Sequence, residues 1–242
     1  MGVTKDAMAD AVLTSLWVFS MPVTRISTSV FLTSYLGIQG NSLSGLFANT
    51  LFTSLLLIIF NLISRALGGA SFNPATSAAF FVADRSPGAS LLSTAVRFPA
   101  QAAGGVAGVK AILTLVPHRF RDKLRGPSLK VDVHTGAFAE GALTFLFCFS
   151  VLFVVFRGPK SPLLKVWLLS NVTAGLVFVG SGYTGPSMNP ANAFGWAYAN
   201  DRHNSWEQFY VYWICPVVGA VLAAGFFRVL FSKPVVVKEK KA

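Results

Sequence analysis

Few residues in this chain could do chemistry, and those that could fall into pairs. Asn73-Pro74-Ala75 and Asn189-Pro190-Ala191 are one triplet written twice, and Asp10 and Glu140 are acids set in apolar stretches. Asn is a favoured helix N-cap and Pro a favoured first helical residue, so each triplet marks a helix start whose tip carries an amide. Such a tip offers hydrogen-bond donors beside a positive helix end. A carboxylate inside an apolar span suggests a proton relay. The matched placement of Asp10 and Glu140 suggests instead acceptors for backbone N–H groups of the loops leading into the triplets, and Gln101 could anchor a loop in the same way. No nucleophile, metal cluster or phosphate loop accompanies these residues, which argues against an enzyme and against a cofactor. His118, His134 and His203 follow no ligand spacing, so no metal site is expected. Cys148 and Cys215 sit in apolar runs as small hydrophobes.

The elements that must position the pairs follow from composition. Charged residues are 12% of the 242 and hydrophobic ones 53%, with 22 Phe. Soluble domains carry about twice that charge, so lipid is the expected solvent. The net charge of +11 could suggest nucleic acid. Its clustering at Arg119, Arg121, Lys123, Arg125 and Lys130, and again at Lys233, Lys238, Lys240 and Lys241, between long uncharged stretches argues for basic loops at a bilayer. Nucleic-acid binding is therefore not expected.

Six segments qualify as spanning helices: about 8–25, 45–66, 92–116, 135–156, 163–181 and 208–230. An even number puts both termini on one side. Twelve Lys and Arg on that side, Arg97 among them, against seven on the other, Arg25 among them, favour cytosolic termini. The segments Gly68 to Ala83 and Gly180 to Ala199 are uncharged but broken by Gly and Pro. A helix from either Asn to the end of its segment is ~16 Å long, about half of the hydrocarbon core. Both are expected as half-helices.

The chain also repeats itself. Ala9-Asp10-Ala11-Val12-Leu13-Thr14 aligns with Ala139-Glu140-Gly141-Ala142-Leu143-Thr144. Each repeat, about 7–117 and about 134–231, has three spans and one half-helix, and an odd number of spans turns the second copy upside down. The chain is read as a single channel domain over 1–242 with a basic tail at 232–242. The half-helices then enter from opposite faces and their N-termini meet near the midplane. A water there accepts from both Asn73 and Asn189, breaking the file of hydrogen bonds a proton would need, while the dipoles repel cations. The expected object is a pore for small neutral molecules.

Two Asn-Pro-Ala motifs in inverted three-span repeats resemble the aquaporin, or major intrinsic protein, family over nearly the whole chain. Gly126-Pro127-Ser128, Val131-Asp132-Val133-His134-Thr135-Gly136, Tyr183-Thr184-Gly185-Pro186 and Phe194-Gly195-Trp196-Ala197-Tyr198 resemble its plant small basic intrinsic proteins. The resemblance implies an all-α integral membrane fold with six transmembrane helices plus two re-entrant half-helices in two inverted repeats. It also implies a homotetramer in the endoplasmic reticulum bilayer, with water and small neutral solutes as the molecules passed.

Most water-selective members carry Arg after the second motif, where this chain has Asn192. Alignment places Leu56, Val177 and Pro186 at the other constriction positions, an apolar filter without the usual His. Looser selection follows, extending to hydrogen peroxide, glycerol or urea beside water. Small basic members often alter the Ala of the first motif, and Ala75 is intact, which favours a water pore. Lys238 and Lys240, five and three places from the end, resemble a cytosolic dilysine retrieval signal. Two other functions stay open: a secondary transporter using Asp10 or Glu140 as proton carrier, and a scaffold with a dewetted pore.

Overall fold

The computed structural model describes residues 2–39, 42–86 and 90–231, so Lys238 and Lys240 of the candidate address lie outside the described residues. The described residues form helices and no strand. They are α1 (Val3–Leu36), α2 (Leu43–Ala66), α3 (Pro74–Val82), α4 (Leu91–Leu115), α5 (Val133–Phe156), α6 (Pro162–Gly180), α7 (Pro190–Ala199) and α8 (Trp206–Phe231). Five of these (α1, α2, α5, α6 and α8) are long and apolar enough to cross a membrane. The sixth long helix, α4, has 25 residues but carries Arg97, Gln101 and Lys110.

One boundary departs from the sequence reading. The first span was expected over about 8–25, and α1 instead runs 34 residues with Pro22 and Arg25 inside it. At ~1.5 Å per residue it is ~51 Å long, well beyond a ~30 Å hydrocarbon core. Pro22 lacks one N–H but does not end the helix, because packing holds the flanking turns. The stop comes at Gly37, at φ 63, where Ile38 N–H bonds Leu32 O at 3.0 Å. Arg25, expected as the last residue of this span, thus lies within the helix, eleven residues before its end.

The short helices α3 and α7 begin where the triplets predict and end alike. In each, an Asp takes the left-handed region, Asp84 at φ 56 and Asp201 at φ 54. The next residue's N–H closes back on the last turn: Arg85 to Phe80 O and Arg202 to Ala197 O, both at 2.9 Å. This six-to-one closure satisfies carbonyls that the helix end would otherwise leave without partners. Asp84-Arg85 and Asp201-Arg202 are therefore a second repeated sequence element, one residue out of step because α7 is longer by a residue.

The helices pack crosswise. α1 lies on α4 and α5 on α8, while α3 packs on α8 and α7 on α4. Small residues allow the approach: a Cβ on Gly104 would stand 2.2 Å from Ala11 O, and one on Gly219 2.2 Å from Gly141 O. Ala75, Ala79, Cys148, Leu152, Ala223 and Phe227 form the core among α3, α5 and α8. Phe rings from α5 and α8 line its flank, with Phe149 and Phe227 at 6.5 Å and Phe153 and Phe231 at 5.8 Å. Much of the Phe content of the sequence serves this packing.

Candidate pore centre at the two half-helix tips

Both Asn residues are N-caps in extended backbone, Asn73 at φ −146 and Asn189 at φ −145. Their Oδ1 atoms accept from their own helices. Asn73 takes Ala75 N–H at 2.9 Å, and Asn189 takes those of Ala191 at 3.1 Å and Asn192 at 3.3 Å. With Oδ1 so engaged, each Nδ2 points away from its own helix. Asn73 Nδ2 donates to Met188 O at 2.9 Å, and Asn189 Nδ2 donates to Phe72 O at 2.9 Å. Each amide thus bonds the residue that precedes the other Asn. The two tips abut, and Asn73 and Asn189 are buried, with 5% and 6% of their surface left exposed. Of the two donors expected free on each amide, one is committed to this exchange.

The loops behind the tips are held by the paired acids. Glu140 accepts Ser187 N–H at 2.9 Å and Met188 N–H at 2.7 Å on Oε1, and Thr184 Oγ1–H at 2.7 Å on Oε2. Met188 sits at φ 48, a region that costs a bulky residue about 1–3 kcal/mol, and both of its backbone polar groups are bonded. Asp10 accepts Ser71 N–H at 2.7 Å, and it also takes Gln101 Nε2 at 2.7 Å. Gln101 further donates to Ser77 Oγ at 3.1 Å. Both carboxylates are fully buried.

Arg97 departs from the sequence reading, which counts it among the basic residues of the inner side without a partner. It lies in α4 and grips Asp10 with two bonds, Nε to Oδ2 at 2.6 Å and Nη2 to Oδ1 at 2.7 Å. A signal was present: an ion within a span needs a partner, and Arg97 lies four residues before Gln101, on the same helix face. Ser71, Ser77, Thr184 and Ser187 carry no such signal, because short hydroxyl residues are common in any membrane helix.

Tyr212 was also missed. A π-helical turn over Tyr210–Ile214 interrupts α8, and Tyr212 is buried there with its OH donating to Thr184 O at 3.1 Å. Such single turns re-aim a side chain within a helix.

The four constriction candidates come from α2 (Leu56), α6 (Val177), the loop before α7 (Pro186) and α7 (Asn192). Pro186 is buried against α6, where a Cβ on Gly180 would meet its Cγ at 2.6 Å. Val177, one turn before Gly180, is 42% exposed. Asn192 Nδ2 donates to Ser187 Oγ at 3.0 Å, so its amide is tied to the loop. Leu56 packs against Leu13, Phe60 and Ala70 of the first half.

Residues 1–227 match the family model described as "Major intrinsic protein". The chain belongs to that family, the aquaporins. It is 55% identical over 231 residues to aquaporin SIP1-2 of Zea mays, covering 95% of this chain and 93% of the relative. It is 54% identical over 232 residues to aquaporin SIP1-1 of Oryza sativa subsp. japonica, covering 95% and 94%. Identity to aquaporin SIP1-1 of Arabidopsis thaliana is 44% over 241 residues, covering 100% and 98%. These relatives are small basic intrinsic proteins of plants. Among solved structures, the aquaglyceroporin from Plasmodium falciparum superposes with a TM-score of 0.69 at 21% identity, covering 93% of this chain and 96% of that one. That likeness shows the aquaporin fold. This aquaporin is a multi-pass membrane channel for water or small solutes, and the family has channels rather than enzymes.

Proposed function

We propose that this aquaporin passes water, together with small neutral solutes such as hydrogen peroxide, glycerol or urea, passively down their gradients while excluding protons and ions. The observation that carries the reading is the reciprocal bonding of Asn73 to Met188 and of Asn189 to Phe72. A side-chain amide has two N–H donors. With one spent on the opposite loop, each Asn keeps one for a passing molecule. A water that accepts from both turns its own hydrogens away along the channel, which interrupts proton hopping. The two half-helix N-termini, roughly half a positive charge each, repel cations at the same place.

The reading takes Leu56, Val177, Pro186 and Asn192 as the filter. None is a fixed cation, and the amide of Asn192 is held by Ser187, so discrimination rests on size and polarity. Asp10 and Glu140 act as structural carboxylates. Asp10 is committed to Ser71, Gln101 and both bonds of Arg97, which favours a channel over a carrier that must load and release a proton there.

The chain sits in the endoplasmic reticulum membrane as a homotetramer with cytosolic termini, and Lys238 and Lys240 are its retrieval address. The Lys and Arg bias favours cytosolic termini with or without Arg25, inside α1, and Arg97, paired with Asp10.

Swelling of proteoliposomes in a panel of neutral solutes tests the selectivity. Entry of hydrogen peroxide, glycerol or urea above the empty-vesicle rate and independent of a pH gradient is expected. Flux that follows a pH gradient would identify a proton-coupled transporter instead.

A further inference from the structure

A cavity of about 470 Å³ opens at one end of the bundle, where the last turns of α3, α5 and α8 converge. Its volume is in the range of small-ligand sites. Arg85, Arg157 and Arg228 line it with Asp84, Phe156 and Phe231. It stands clear of the pore centre, because α3 reaches it with its C-terminal end and meets α7 with its N-terminal end.

The three guanidinium groups are presented rather than consumed. Arg85 lies over the Phe156 ring at 5.0 Å and Arg157 over the Phe231 ring at 5.3 Å. A cation–π contact of this kind uses no N–H donor of its own and leaves the guanidinium's donors available to bond. Arg157 Nη2 donates to Phe231 O at 2.6 Å and Arg228 Nη1 to Val82 O at 3.2 Å. Those bonds satisfy helix-end carbonyls, a role that explains one nitrogen of each. A guanidinium has five N–H donors, so most remain. Among the described residues the single ion pair is Arg97 with Asp10, and none of the three cavity arginines has a carboxylate within 4.0 Å. Asp84 is the one acid in the lining, against three cations.

We infer that this cavity is a binding site for a phosphate ester, the chemistry shared by a phosphoinositide headgroup and a free inositol phosphate. Three planar guanidinium groups offer more donors than a single carboxylate can accept, and they suit the oxygens of a phosphate. The site lies at the ends of spanning helices, the level at which lipid headgroups stand. The chain's own tail is a poor occupant, since the residues after Phe231 include four Lys and one Glu.

The full-length protein in phosphatidylcholine nanodiscs doped with phosphatidylinositol monophosphate, read by native mass spectrometry, tests the site. The wild type should retain the phosphoinositide over phosphatidylcholine. Arg85→Gln should weaken retention about tenfold, the loss of one charge-assisted bond, and Arg85→Lys should fall between them. The Arg85 side chain bonds no carbonyl among the described residues, so its variants keep the backbone closure on Phe80 O, and unchanged water flux certifies their fold. Lys238→Ser with Lys240→Ser should leave retention intact. Soluble inositol bisphosphate distinguishes the sources. Binding of the soluble ester with the same Arg85 dependence makes the free phosphate sufficient, and binding confined to the lipid makes the headgroup at the membrane the ligand. No preference over phosphatidylcholine, retention indifferent to Arg85→Gln, or loss caused by the tail substitutions would each overturn the assignment.

Discussion

Gly105→Ala would place a methyl group between α4 and α7 where none fits. Its Cβ would stand 2.2 Å from the carbonyl oxygen of Ala191, while ordinary contact begins at 3.4 Å. The obstacle is backbone, not a flexible side chain, so the two helices must part by about 1.2 Å. A Cβ on Gly195, facing back from α7, would likewise stand 2.5 Å from Gly105 O, so the contact offers no slack on either side. α7 carries Asn189 as its cap, and a retreat of half that distance along the bond takes Asn189 Nδ2 to Phe72 O from 2.9 Å to the limit of a hydrogen bond, about 3.5 Å. The overpacking costs about 1–3 kcal/mol, little enough for the protein to insert and remain folded. Stopped-flow shrinkage of proteoliposomes should then show water permeability near that of empty vesicles for a monodisperse protein. Gly175→Ala, where a Cβ meets nothing within 4 Å, is the control and should conduct like the wild type. Wild-type flux through Gly105→Ala would refute the claim that the α4–α7 approach sets the pore centre.

Three further outcomes follow from the same geometry. Asn189→Asp puts a carboxylate at the tips and deletes the donor to Phe72 O, so vesicle assays should find a cation leak or no flux; normal water flux with no cation current would contradict the arrangement. Arg97→Met leaves the buried Asp10 carboxylate without its cation and should cost about 3–5 kcal/mol, read as a lower melting temperature in detergent, with Asp10→Asn added to the same chain recovering part of the loss. Tyr212→Phe removes the bond to Thr184 O, about 1 kcal/mol, and should raise glycerol entry relative to water; an unchanged ratio would remove Tyr212 from the support of the loop that leads into α7.

How much of this was legible depends on how local each cause is. The half-helices are written in the sequence because an N-cap Asn, a first-turn Pro and a broken apolar run act within a dozen residues. Asp10 and Glu140 are visible because a charge in an apolar span is conspicuous. The end of α1 is not visible, since Pro22 and Arg25 together imitate a boundary and only packing against α4 shows that the helix continues. That Arg97 needs a partner is legible from its place in a span, but its grip joins residues 87 apart, and no spacing rule names Asp10 as that partner. The Asp-Arg closures after α3 and α7 could have been read, had the repeat been followed past the Asn-Pro-Ala triplets. The filter positions Leu56, Val177, Pro186 and Asn192 come from alignment, because a constriction is built by several elements at once and no local rule names its members.

Water and proton fluxes recorded on the same proteoliposomes test the central claim most directly. Osmotic water permeability well above that of empty vesicles, with a proton leak no greater than theirs, is the predicted result. Proton flux rising in step with water flux, or no water flux from correctly inserted protein, would contradict a passage formed where the Asn73 and Asn189 tips meet.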